Sequence, residues 1–138
     1  GNKVRLRPCN GESQQIWSID SLGQIRNSSN EAFCLVPHGY ASLPGTSLWM
    51  WNCDNSKESF WILDSVDTIT YRNNFDIVIT IKDGILYNGQ SIEINSYSNK
   101  YLHQKWIMTD DTIVPTTLFP TNLTIAPTIA PTFSPTPN

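Results

Sequence analysis

The side chains whose types and spacing invite a search for chemistry are His38, His103, Cys9, Cys34, Cys53 and the adjacent carboxylates Asp110 and Asp111. Neither histidine has a cysteine or histidine neighbour at zinc-ligand spacing, so no metal is expected. Asp110 and Asp111, if extended, point to opposite faces of a strand and cannot share a proton. No glycine-rich phosphate loop is present. These patterns argue against an enzyme and call for no cofactor. Cys34 and Cys53 stand nineteen residues apart, a spacing suited to a short disulfide loop that would contribute about 3 kcal/mol. Cys9 is left over, either buried as a thiol or joined to an upstream segment or another chain. Asn27-Ser28-Ser29 and Asn122-Leu123-Thr124 have the N-glycosylation pattern. With the disulfide they predict an extracellular or cell-surface protein carrying covalent glycans; an intracellular chain with three buried thiols is the alternative.

The elements that would hold these residues follow from composition and repetition. With 39% apolar and 11% aromatic residues, 138 residues can fill one modest core. Nine Lys and Arg against twelve Asp and Glu are scattered, so no basic stripe suggests nucleic acid, and no apolar run is long enough to insert into a membrane. Gly1 is not an initiator methionine, which predicts a processed chain or a fragment.

The chain repeats itself. Residues 1–17 overlie 45–61 without a gap: Gly1 meets Gly45, Val4 meets Leu48, Leu6 meets Met50, Cys9 meets Cys53 and Trp17 meets Trp61. A third copy has Gly89, Ile92, Ile94 and Trp106 in those places, so the tryptophans lie 44 and 45 residues apart. VRLR, SLWMW and SIEIN alternate with period two, and Asn10-Gly11, Asp54-Asn55 and Asp83-Gly84 punctuate them. About four short strands per repeat are therefore predicted. The predicted order is a half-repeat at 1–17, repeats at 18–61 and 62–106, and a half-repeat at 107–119, with an extended Pro/Thr-rich tail at 120–138.

Gln15-Ile16-Trp17 and Gln104-Lys105-Trp106 are Gln-x-Trp motifs, degenerate in the middle repeat as Ser59-Phe60-Trp61. With CNGESQQIW, AFCLV and LWMWNC they give a chain that resembles the ricin-type β-trefoil lectins. The resemblance implies an all-β, pseudo-threefold barrel in which Gln15, Trp17, Trp61, Gln104 and Trp106 are core residues. It also implies a way of binding sugar: an Asp shortly after the first cysteine, an aromatic platform two residues before the second, and polar residues beside Gln-x-Trp. Residue by residue, the middle repeat keeps the platform, Trp51, but has Val36 in the Asp place and Glu58 and Ser59 for the amide pair. The first has Gln14 and Gln15 but Arg7 for the platform, and the third has Asn95 there. Trp51, Tyr40 and Asp54 are the candidate carbohydrate contacts, combining an aromatic wall with few polar groups.

From Thr112 onward no residue is charged, and six of nine prolines lie between Pro115 and Pro137. Thr-Ile-Ala-Pro recurs as a tetrapeptide, with Thr128, Thr132, Ser134 and Thr136 as candidate O-glycosylation sites beside proline. Ile125, Ile129 and Phe133 recur every four residues, about 13 Å apart in an extended chain, spaced for apolar pockets on a neighbouring copy. The leading expectation is a non-catalytic structural glycoprotein whose identical subunits assemble head to tail into fibrils or a surface layer through this tail. The alternative is a lectin module that binds free carbohydrate and is linked to another domain or partner.

Overall fold

The computed structural model describes residues 2–109, 112–115 and 127–131, and its regular elements are strands and single 3-10 turns. β1 (Asn2–Pro8), β5 (Leu48–Asn52) and β9 (Ile92–Ser96) carry the alternating patterns seen in the sequence. Val4 and Leu6, Leu48 and Met50, and Ile92 and Ile94 are their buried apolar residues. The three strands meet about a pseudo-threefold axis: Arg5 bridges Ser91 and Ser47 bridges Glu93. These two meetings are tied in the same way, the Gly45 N–H donating to the Ile94 carbonyl at 2.7 Å and the Gly89 N–H to the Leu6 carbonyl at 2.8 Å.

The rest of each repeat is a hairpin and a third strand. β2 (Trp17–Ile19), β3 (Ile25–Asn27) and β4 (Asn30–Pro37) precede β5, and β6 (Trp61–Leu63), β7 (Ile69–Tyr71) and β8 (Ile77–Ile81) precede β9. A further hairpin joins β10 (Trp106–Thr109) to β11 (Thr112–Pro115). β12 (Pro127–Pro131) lies antiparallel to β1, Val4 facing Pro131 and Pro8 facing Pro127. β4 stands to β5, and β8 to β9, in the same antiparallel relation. The sheet order is β12-β1-β5-β4-β3-β2, beside β6-β7-β8-β9 and the β10-β11 hairpin. The architecture is the all-β trefoil. No helix among the described residues is long and apolar enough to cross a membrane.

Trp17, Trp61 and Trp106 are buried at the centre with Ile25, Leu35, Ile69, Tyr71 and Ile79, each aliphatic side chain contributing about 1.5–3 kcal/mol by leaving water. A 3-10 turn precedes each tryptophan, and its buried last residue hydrogen-bonds backbone groups of the segment before it. The Gln15 amide donates to the Pro8 carbonyl at 2.7 Å and accepts from the Asn10 N–H; Gln104 does the same with Ser96 and Ser98. In the middle repeat Ser59 is too short for that reach, and its hydroxyl instead donates to Ser56 and accepts from Gln24.

Repeats contact one another closely at Gly23. The Trp61 N–H donates to its carbonyl at 2.8 Å, φ is +94°, and a Cβ there would lie 2.5 Å from the Trp61 carbonyl oxygen. Only glycine fits that approach.

The sequon at Asn27 is a correction. Its side chain is 1% exposed, and Nδ2, the atom a glycan would occupy, donates to the Gln14 carbonyl at 2.8 Å and to that of Ile16. Asn27 faces Trp17 across the hairpin as Tyr71 faces Trp61, so it is a core position with no room for a sugar. Ile129 and Thr128 lie in β12 opposite Leu6 and Arg7 of their own chain. Asp110, Asp111, Asn122, Ile125, Thr132, Phe133, Ser134 and Thr136 lie outside the described residues.

Candidate functional site

Val36 and Pro37 end β4, and a 3-10 turn at His38–Tyr40 reverses the chain. Gly39 at φ +63° and Tyr40 at φ +58° make this reversal. On β5, Trp49 and Trp51 alternate with the buried Leu48 and Met50 and therefore share the outer face. The register sets Val36 opposite Trp49 and Cys34 opposite Trp51. Val36, His38, Gly39, Tyr40, Trp49 and Trp51 together line a pocket of about 180 Å³.

Its walls are aromatic. His38 stacks on Trp49 with centroids 4.4 Å apart, and the Trp49 indole N–H is held by the Ser47 hydroxyl at 3.0 Å. Trp51 keeps 45% of its surface exposed, unusual for the largest apolar side chain and suited to stacking on a ligand ring. The polar contribution comes through Tyr40, whose hydroxyl donates to Asp54 Oδ2 at 2.7 Å. The Ser56 N–H holds the other carboxylate oxygen. That arrangement favours the ionised carboxylate: the Tyr40 hydroxyl, then the Ser56 amide, hold Asp54 below the usual carboxylate range. Burial and the neighbouring Asp54 push Tyr40 up to about 12. A disulfide between Cys34 and Cys53 ties β4 to the chain just past β5, between Trp51 and Asp54.

Trp51 and Tyr40 thus line one pocket and Asp54 is bound to Tyr40, although they are fourteen residues apart at their widest. Sequence reasoning missed His38 and Trp49. His38 looks isolated in the chain, yet its N–H donates to the Ser47 carbonyl across the strands, which brings its ring over Trp49. The other repeats lack this wall: Asn95, in the place of Trp51, donates to Glu93, and Arg7 donates to Asn88. His103 stacks on Tyr101, and burial lowers its pKa. Cys9 is exposed and outside the disulfide. Among the described residues no group of acidic, histidine or cysteine side chains could hold a metal ion. Aromatic faces beside a carboxylate-tyrosine pair can stack on a ring and hydrogen-bond its hydroxyls.

Comparison with known proteins gives a family and a fold. Residues 1–106 match the ricin-type beta-trefoil lectin domain. No curated protein sequence matches. Among solved structures, the beta-trefoil lectin of the Vibrio vulnificus hemolysin/cytolysin, with N-acetyl-D-lactosamine bound, is similar at a TM-score of 0.60 and 20% identity. The match covers 80% of this chain and 82% of that one.

Proposed function

Because the chain belongs to the ricin-type β-trefoil lectin domain family, we propose that it is a carbohydrate-binding module and that the pocket beside β5 takes the sugar. The observation that carries this reading is the convergence of Trp51, Trp49 and His38 as aromatic walls with Tyr40, itself hydrogen-bonded to Asp54. Trp51 stacks on the apolar face of the ring. Asp54, ionised and joined to the Tyr40 hydroxyl, accepts from ring hydroxyls. Val36, in the place where the family's sugar-binding Asp would stand, leaves that acceptor role to Asp54, which is joined to the pocket through Tyr40. The module holds its ligand without transforming it, and the disulfide suits an oxidising, extracellular setting.

A glycan array that includes N-acetyl-D-lactosamine tests this. Specific binding by the wild-type chain, reduced at least roughly tenfold in Trp51→Ala, is expected for a lost stacking platform. No specific binding, or binding that Trp51→Ala leaves intact, sinks the reading.

A second reading, the structural glycoprotein subunit that self-assembles through its C-terminal extension, is favoured by one observation. β12 adds to the edge of β1 as an antiparallel strand, and the same strand donated to a neighbour's β1 builds a head-to-tail polymer. It predicts concentration-dependent oligomers in light scattering that disappear when residues 120–138 are removed. A full-length chain that stays monomeric at every concentration rules it out.

A further inference from the structure

The loops after Trp17 and Trp61 are built alike, but their interiors are filled differently. Asp20 Oδ1 accepts from the amides of Leu22 and Gln24 at 2.9 and 3.0 Å, and Asp64 Oδ1 accepts from those of Val66 and Thr68 at 3.0 and 3.1 Å. In the first loop the remaining space is taken by Arg26. Its guanidinium donates to Asp20 Oδ2 at 3.3 Å, to Gln24 Oε1 at 2.7 Å and to the Glu31 carbonyl at 2.9 Å, and it touches Cys53 Sγ at 3.2 Å. In the second loop, 44 residues on, Thr70 stands in the place of Arg26. Phe75, Val78 and Tyr97 stand in the places of Glu31, Cys34 and Cys53. The volume the guanidinium fills in one repeat is an open pocket of about 140 Å³ in the other, lined by Asp64, Val66, Thr68, Thr70, Phe75, Val78 and Tyr97.

We propose that this pocket is a recognition site for a guanidinium group supplied from outside the domain. Asp64 Oδ2 is aimed where Asp20 Oδ2 is and receives only the hydroxyls of Thr68 and Thr70. These supply hydrogen bonds but no charge, and among the described residues no cation pairs with Asp64. Burial works against the ionised carboxyl, yet the Thr68, Thr70 and Val66 hydrogen bonds outweigh it and hold its pKa below the ordinary value. Lys105 is the nearby cation, but its ammonium is held by the Val66 carbonyl at 2.8 Å and lies 5.6 Å from the centre of the Tyr97 ring. Phe75 is 68% exposed at the lip, an apolar face that suits a flat, weakly hydrated cation better than a compact ammonium. An entering guanidinium thus meets a carboxylate, two hydroxyl oxygens able to accept, and aromatic faces. The site is separate from the Trp51 pocket and does not depend on what that pocket binds.

Nitrogen-15 NMR titration of the full chain with arginine amide, against lysine amide at equal ionic strength, tests the proposal. Saturable shifts confined to the amides of Thr68, Thr70 and Val78 are expected with arginine amide and not with lysine amide. Thr70→Arg, which rebuilds the filled loop of the preceding repeat, is expected to abolish them. Asp64→Asn, which keeps the Oδ1 acceptor, should weaken binding roughly tenfold and serves if Thr70→Arg does not fold. Methylguanidine and a blocked arginine-containing peptide, run in parallel, separate a free guanidino solute from an arginine side chain as the source. Equal shifts from lysine amide, no saturable shift with any guanidinium compound, or undiminished binding in either variant overturns the proposal.

Discussion

Alanine in place of Trp61 is expected to lower the stability of the fold by about 4 kcal/mol. The indole is 1% exposed, its N–H donates to the Leu35 carbonyl at 2.9 Å, and its rings meet Tyr71 at 5.4 Å. Truncation would remove both contacts, leave a cavity where the repeats converge, and leave a buried carbonyl without its donor. The Trp106 indole donates to Ile79 at 2.9 Å in the same way, so Trp106→Ala should be similarly costly. A domain this size has about 5–15 kcal/mol in total, and one at the low end would not remain folded. Trp61→Phe keeps most of the volume and loses the hydrogen bond, for an expected cost of about 2 kcal/mol. Urea unfolding followed by circular dichroism measures both. A Trp61→Ala loss under about 1 kcal/mol would mean that the site collapses around the deletion.

That core was legible because repetition made it so. Spacings of 44 and 45 residues mark the three tryptophans, and only a position with the same neighbours in every repeat keeps so large a side chain. The same comparison could have exposed Asn27. Its repeat mate is Tyr71, a core residue, and a sequon pattern carries no information about burial. β12 was harder to see. Proline at both ends removes donors from a strand, a composition that reads as an extended linker, yet an edge strand tolerates proline where its N–H would face away from the ladder. β12 is such an edge. The pocket was half legible. Trp51 follows from its distance to Cys53, but the approach of His38 to Trp49 depends on register, which sets Pro37 opposite Leu48, and register is not written in either segment alone. The open loop at Asp64 needed one more step, seeing that an arginine in one repeat and a threonine in the next leave different volumes behind the same backbone.

Removing the Cys34–Cys53 bond is expected to cost about 3 kcal/mol, because the unfolded chain regains the freedom of a loop whose ends are nineteen residues apart. Alanine at both positions is the suitable variant, since a serine hydroxyl at the fully buried Cys34 would add a desolvation cost of its own. The neighbouring repeat carries Val78 and Tyr97 in these places, so the architecture does not require the crosslink and the variant should still fold. A second effect separates the bond's role in the site from its role in stability. Trp51 lies two residues before Cys53 and Asp54 immediately after it, and the Tyr40-Asp54 hydrogen bond depends on that strand end staying where β4 holds it. At a temperature where the alanine variant is folded, carbohydrate binding at the Trp51 pocket should therefore be weaker than in the wild type. Wild-type protein treated with a reductant should show the same loss, measured by calorimetry. Unchanged affinity in the folded variant would mean that β4-β5 pairing alone fixes Trp51 and Asp54, with the disulfide acting only on the unfolded chain.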